Sequence, residues 1–240
     1  MQEYEFFENY VKNFDMSIEW IKYKYEHTMR VVNYALEISD SINLSKEERK
    51  EIEVCALFHD IARFPQYQEF KTFNDAKTFD HGDKGAEILE ENGYHDEVLL
   101  NVVRCHNKFA IPEEYDEKTK LYSRIIRDAD KIDILDQVYN ECTTSNYILP
   151  KEIIDVFKRN ETLKKAVKLD CDGNLEFMLK HLAFIFDLNY KYSFKFIRDK
   201  NIINRKLDSI YKNNKYDWVE EIRNICNEFI ERRLNDEGIR

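Results

Sequence analysis

Residues 56–64 read Ala56-Leu57-Phe58-His59-Asp60-Ile61-Ala62-Arg63-Phe64, and the fold follows from how this stretch is read. His59 and Asp60 stand side by side inside an apolar run, which predicts a buried helix. A carboxylate beside an imidazole is costly to bury unless something pairs with it. A metal ion meets that need, because it accepts imidazole nitrogen and carboxylate oxygen together. Further candidate ligands lie on either side of the pair, and His27, His81, His106 and Asp130 are expected to converge on it.

Outward from this centre the pattern is helical. Upstream, Thr28, Val31, Val32, Ala35, Ile38 and Ile42 recur at three- and four-residue steps within a helix expected over 17–42. His27 borders that face and can point inward. Ser45 with Glu48 forms a capping box for the next helix. On that helix Ile52, Cys55, Ala56, His59 and Arg63 share a face, and Pro65 is expected to end it. Residues 66–80 read as a loop rich in aromatics and charge. Its aromatics, with Phe64, Tyr67, Phe70 and Phe73 nearest the pair, are expected to pack beneath it, with stacking on a nucleobase as the alternative. Asp80 caps a helix that starts at His81 and is closed by Gly93. Asp96 opens another, whose stripe of Val98, Leu99, Val102 and Val103 ends at His106. Residues 121–140 form one strong helix with Asp128, Asp130, Asp133 and Asp136.

Composition agrees. Among 240 residues there are only five Gly and three Pro, so long helices with short connections are expected and the fold class is all-α. A net charge of −10 argues against binding long nucleic acid, which needs a basic footprint. It permits a small phosphorylated substrate, since a bound dication can reverse the local field. The start is acidic and aromatic rather than signal-like. No apolar run reaches the ~20 residues that a bilayer requires. Five cysteines, widely spaced and without a CxxC pair, predict reduced core thiols in a cytoplasmic protein. After Asn140 the chain becomes rich in Lys, Asn and aromatics. The expected organisation is a core over 1–140 and a helical extension over 141–240 packed on it. The stripes Leu175, Met178, Leu179, Leu182, Phe186, Tyr190 and Trp218, Ile222, Ile225, Phe229, Ile230 supply the core of the extension.

The stretches EHTMRVVNYALEI, ALFHDIARFPQY, DHGDKGAEIL, CHNK and DADKIDIL give the order His, His-Asp, His, His, Asp. This pattern resembles the HD-domain superfamily of metal-dependent phosphohydrolases. The resemblance covers a little over half the chain, and it implies an all-α HD-domain helical core with a C-terminal helical extension. Carried over position by position, His27, His59, Asp60 and Asp130 match the ligands shared across the family. His81 and His106 match the extra histidines of its binuclear members. Asp130 is preferred to Asp128 because a basic residue, Lys131, follows it. Asp128 is left to a supporting or surface role. Asp133 and Asp136 are read as a solvated face or ion-pair partners, and His95 and His181 as structural.

The resemblance implies one or two divalent ions per chain (Mn, Fe, Zn, Ni, Co or Mg). Six ligands fit two ions, about 3.5–4 Å apart and bridged by Asp60 and a hydroxide that attacks phosphorus. Asp60, Arg63 and Lys131 are the expected catalytic residues, with Arg63 placed to reach a substrate phosphate. Lys131, like Lys84 and Lys108, is a weaker candidate for that contact, and all three are read first as surface charges or ion-pair partners. The expected reaction is cleavage of a phosphate mono- or diester on a nucleotide-like metabolite. A Gly-Tyr-Pro signature of the cyclic-dinucleotide branch is absent, since His95 follows Gly93-Tyr94. A di-iron HD oxygenase and a non-catalytic nucleotide-binding HD module are the alternatives, and a homodimer is left open.

Overall fold

The apolar spacing described above becomes helix throughout: in the computed structural model every regular element among the described residues is helical. The described residues are 2–137, 147–163, 173–211 and 216–239. The chain divides into two units, Met1–Asp130 and Lys131–Arg240. No helix among the described residues is long and apolar enough to cross a membrane.

The first unit begins with α1 (Gln2–Val11), whose Phe6 and Phe7 rings pack against Phe58 at 5.8 and 6.4 Å. Helix α2 (Glu19–Ser41) buries Ile21, His27, Thr28, Val31, Val32, Ala35 and Ile38 on one face. Asn43, at a φ of 56°, reverses the chain in the left-handed region that Asn tolerates. Ser45 then caps α3 (Lys46–Phe58): its side chain accepts from Glu48 N–H, and the Glu48 carboxylate reaches back to Ser45 N–H. A capping box of this kind stabilises a helix start by about 1 kcal/mol. Helix α2 lies against α3 and against α4 (Arg63–Phe70).

Two expectations fail around Pro65. Helix α3 ends at Phe58, before the proline and before Asp60, and Pro65 sits inside the first turn of α4. A first-turn residue has no intrahelical acceptor for its N–H, so proline starts this helix at no cost. Residues 66–80 are correspondingly less loop-like than expected. Helix α4 runs to Phe70 and closes on Lys71 at a φ of 54°, and a single 3-10 turn covers Asp75–Lys77.

Helices α5 (His81–Glu91) and α6 (Glu97–Cys105) form an antiparallel pair, and α6 also meets α3. Asp80 accepts from Gly82 and Asp83 N–H, Asp96 accepts from Leu99 N–H, and Gly93 makes the turn between them at a φ of 86°. Helix α7 (Glu117–Asp136) starts a turn earlier than expected and carries the division between the units. Its Tyr122, Ile125, Ile126 and Ala129 are fully buried in the first unit.

The second unit contains α8 (Lys151–Lys158), α9 (Gly173–Leu182), α10 (Lys191–Asp199), α11 (Ile202–Tyr211) and α12 (Val219–Asn235). Helix α12 packs on α8, α10 and α11, with Phe229 meeting the rings of Phe186 and Phe194. Both expected stripes are here, though the first is broken: α9 ends at Leu182 and a 3-10 turn, Ala183–Asp187, follows. Asp136 pairs with Lys200 and Arg205, as an ion-pair partner should. Asp133 is buried, so the solvated-face reading fails for it. Buried Lys206 donates to the Gln137 carbonyl at 2.7 Å, and burial lowers its pKa to about 7. Residues 138–146, which include the end of the helix expected over 121–140, lie outside the described residues, as do Cys142 and Cys171; Tyr147–Pro150 carry no regular structure.

The α5–α6 contact is tight at one point. A Cβ on Gly82 would stand 2.6 Å from the Arg104 carbonyl oxygen and 2.6 Å from Asn107 Oδ1. Gly82→Ala is expected to cost about 1–3 kcal/mol, read as a lowered urea midpoint. An unchanged midpoint would mean that α5 and α6 do not approach this closely.

Candidate metal centre

The histidines read from the sequence sit at helix ends and on one helix face of the first unit. His59 and His106 are the C-caps of α3 and α6, His81 is the first residue of α5, and His27 lies within α2. Asp60 follows His59 in the turn between α3 and α4. All five side chains are buried, none more than 4% exposed. Asp130, on α7, is the most accessible of the set, with a side chain 20% exposed.

Asp60 stands between two groups of donors. Its Oδ2 lies 3.4 Å from His27 Nε2 and 3.6 Å from His59 Nε2. Its Oδ1 lies 3.5 Å from His81 Nε2 and 3.5 Å from His106 Nε2. Asp130 Oδ1 joins the first group, 3.2 Å from His27 Nε2. The two groups with Asp60 in common, His27–His59–Asp60 and Asp60–His81–His106, each have the proximity to hold a metal ion.

The other ring nitrogens explain why Nε2 faces inward. His59 Nδ1 donates to the Ala56 carbonyl at 2.7 Å, and His106 Nδ1 donates to the Val103 carbonyl at 2.7 Å. Carbonyls in the last turn of a helix lack intrahelical partners, so a C-cap ring finds an acceptor three residues back. His81 Nδ1 donates to Asp75 Oδ2 at 2.7 Å. With the proton held on Nδ1 in each ring, Nε2 presents its lone pair to the centre. Arg127 locks the α6 end further, donating to the Cys105, His106 and Lys108 carbonyls.

These donors fit a cation. His59 Nε2 is buried with no hydrogen-bond partner. His81 Nε2 and His106 Nε2 face each other at 3.0 Å. A hydrogen bond between them would require one ring to be a buried imidazolium; a shared cation removes that requirement. Donors about 2.1 Å from one ion lie roughly 3–3.4 Å apart, close to the 3.0–3.6 Å spacings seen here. Imidazole with carboxylate suits zinc, iron, manganese, nickel or cobalt, without choosing among them.

Electrostatics keep the donors in their ligating forms. Burial lowers the pKa of His59 to about 4, and burial with the Arg63 guanidinium lowers His81 to about 3, so both rings are neutral at pH 7. Burial alone would raise the Asp60 carboxyl, but the Lys24 ammonium outweighs it and holds Asp60 well below the usual range. Asp130 is likewise held low against burial by His27, and Asp75 by His81 and Arg63.

Sequence reading missed the supporting residues. Lys24 Nζ sits 2.7 Å from Asp60 Oδ2. Its signal was its place one turn before His27 on the same helix face. Asp75, Gln66 and Asn107 carry no periodic signal. Gln66 Nε2 donates to Asp75 Oδ1 and Thr78 Oγ1, and Asn107 Nδ2 donates to Asp80. Arg63 Nη1 contacts Gln66, the Phe73 carbonyl and Asp75, and its Nε is 3.5 Å from Asp60 Oδ1. It therefore fastens the segment that bears Asp75. Lys131 pairs with Asp187 Oδ2 at 2.9 Å in the second unit. Lys84 pairs with Glu87, and Lys108 with Asp80 and Asp83, as surface charges do. Asp128 is fully buried, so it has no surface role. His95 is exposed, and His181 packs against Phe177 and Phe184.

Residues 25–135 match the HD domain family. A curated relative, the symmetrical bis(5'-nucleosyl)-tetraphosphatase of Bacillus subtilis (strain 168), is 30% identical over 97 residues, 35% of this chain and 50% of that protein. The chain thus spans about half the length of the relative it matches. No solved structure gives a significant match.

The depressed histidine pKa values make an acid-stability prediction. An unfolded histidine takes up a proton below about pH 6.5, whereas His59 and His81 stay neutral in the fold down to about 4 and 3. The unfolded state therefore binds more protons, and stability falls with pH below 6.5. At pH 5 the two are expected to cost on the order of 2 kcal/mol each. Thermal melts of chelator-treated protein at pH 7 and pH 5 should differ accordingly; equal midpoints would refute buried neutral rings.

Proposed function

With residues 25–135 an HD domain, we propose that the chain is a metal-dependent phosphohydrolase whose metal ligands are His27, His59, Asp60, His81, His106 and Asp130. The observation that carries the proposal is the division of the Asp60 oxygens. Oδ2 faces His27 and His59, while Oδ1 faces His81 and His106. One carboxylate serving two donor groups is the arrangement that two neighbouring ions need. When bound, such ions supply a Lewis acid for phosphoryl oxygens and a water whose pKa falls from 15.7 toward ~7.

The chain's own residues do the rest. The backbone-anchored rings of His59 and His106 and the Asp75-anchored ring of His81 hold their lone pairs in place before any ion arrives. That preorganisation avoids reorganisation during reaction. Burial excludes bulk water and strengthens each charge interaction in the site. Asp60 remains ionised throughout. Lys24 and Arg63, the cations next to Asp60, complement the negative charge of a phosphoryl group. In this reading Arg63 also keeps Asp75 on His81, and Lys131 acts on substrate only by leaving Asp187.

We extend the proposal to a nucleotide-like phosphate ester as substrate. The support is the name of the relative matched over 35% of this chain, a bis(5'-nucleosyl)-tetraphosphatase. The complete donor set favours turnover over a binding module that holds a nucleotide unchanged.

Elemental analysis of the purified chain is expected to give close to two divalent ions per chain. Hydrolysis of a panel of nucleotide and dinucleoside polyphosphates should follow metal loading, and Asp60→Asn or His59→Ala should lower it at least ~100-fold. Full activity in either variant, or no retained metal after incubation with manganese, would overturn the reading. Iron with oxygen consumption would redirect it to oxidation. Asp75→Asn removes the acceptor behind His81 and is expected to weaken metal binding about 10–100-fold, measured by competition with a chelating dye.

A further inference from the structure

Beside the metal ligands, four aromatic rings stand together in the first unit without a part in the core. Trp20, in the first turn of α2, is 50% exposed. Its ring contacts Tyr23 at 5.8 Å, Phe73 at 6.2 Å and Tyr67 at 6.5 Å, and Tyr67 meets Phe73 at 5.0 Å. The expected packing beneath the 66–80 segment does not account for this group. Phe64 is the one that enters the core, against Phe7 and Phe14, and Phe70 turns to Phe79. Tyr67 and Phe73 instead join α2.

The group is continuous with the metal ligands at two points. Tyr23 stacks parallel to the His27 ring, at 6.2 Å and 12°. The Lys24 ammonium lies 5.2 Å from the Phe73 ring and 5.9 Å from the Tyr23 ring while touching Asp60 at 2.7 Å. Asp60 is the carboxylate partner of Lys24 among the described residues, so the ammonium has donors left for another oxygen. Arg63 adds a second cation, 5.6 Å from the Phe73 ring. A half-exposed indole set against three rings, with cations between it and a buried carboxylate, matches one kind of ligand: a planar ring joined to an anion.

We propose that Trp20, Tyr23, Tyr67 and Phe73 form a seat for the aromatic ring of a ring-bearing phosphate ester, with Lys24 meeting its phosphate. The inference rests on the phosphohydrolase reading for the direction in which the phosphate lies, and it adds where the organic part of the substrate binds. Rings of this kind accept any base by stacking, so the seat selects for an aromatic group rather than for one base. Trp20 sets the outer edge of the seat, and the reach from Trp20 to Lys24 is one helical turn along α2.

The test compares two non-hydrolysable ligands on the full chain: adenosine 5'-(α,β-methylene)diphosphate, and methylenebisphosphonate, which has the same phosphonates and no ring. The nucleotide analogue is expected to bind at least about fivefold tighter and to quench indole emission. Trp20→Leu should remove both the advantage and the quench, and Trp20→Phe should restore the advantage, because a ring rather than bulk is needed. Equal affinity for the two ligands, or an advantage that survives Trp20→Leu, overturns the seat. The phosphohydrolase reading then still stands if metal-loaded protein hydrolyses phosphate esters. Ring-dependent binding with no hydrolysis of any ester would instead sustain the seat and remove the phosphohydrolase reading.

Discussion

The first unit depends on how a single buried carboxylate is compensated. Asp60 is 3% exposed and ionised, a state that burial opposes. Lys24 neutralises it on one side, and four imidazole nitrogens approach within 3.6 Å. Those groups come from α2, from the end of α3, from the start of α5 and from the end of α6, so these helices must pack in one register for the charge to be tolerated. The His-Asp dipeptide is costly to bury and also orders its neighbours.

The second device is the use of helix ends. A C-cap histidine spends its Nδ1 proton on a carbonyl that the helix leaves open, and this fixes the tautomer and aims Nε2 outward. The same geometry occurs at the ends of α3 and α6. Helix α5 is the complement: His81 is its first residue, where no preceding helix carbonyl is within reach, and the acceptor is the Asp75 carboxylate instead. Arg63 and Gln66, from α4, hold that carboxylate in turn.

Much of this was legible in the sequence, for a physical reason. Residues on or at the end of a regular helix inherit the helical period, so His27 and His106 announce themselves beside apolar stripes, and Asp80 and Asp96 announce helix starts. Lys24 was overlooked because a lysine on a helix usually means solvent, and only the fold brings Asp60 within 2.7 Å of it. Asp75 could not be found at all, since a residue in a 3-10 turn between helices has no period to betray its direction. Pro65 misled because the same residue serves a helix end and a helix first turn. Asp133 misled because a run of aspartates on one helix reads as a wet face, whereas its individual members differ in burial.

His27 and Asp130 touch at 3.2 Å across about a hundred residues of chain. Any bond that holds these two positions closes a loop of that length, and with it nearly everything between α2 and α7. A cross-link over about 100 residues restrains an unfolded chain by an amount worth roughly 4–5 kcal/mol in the chain-entropy description. An ion held by both side chains would be a topological clasp. It would gather both ends of residues 27–130 in one step, much as a drawstring gathers a bag by its rim.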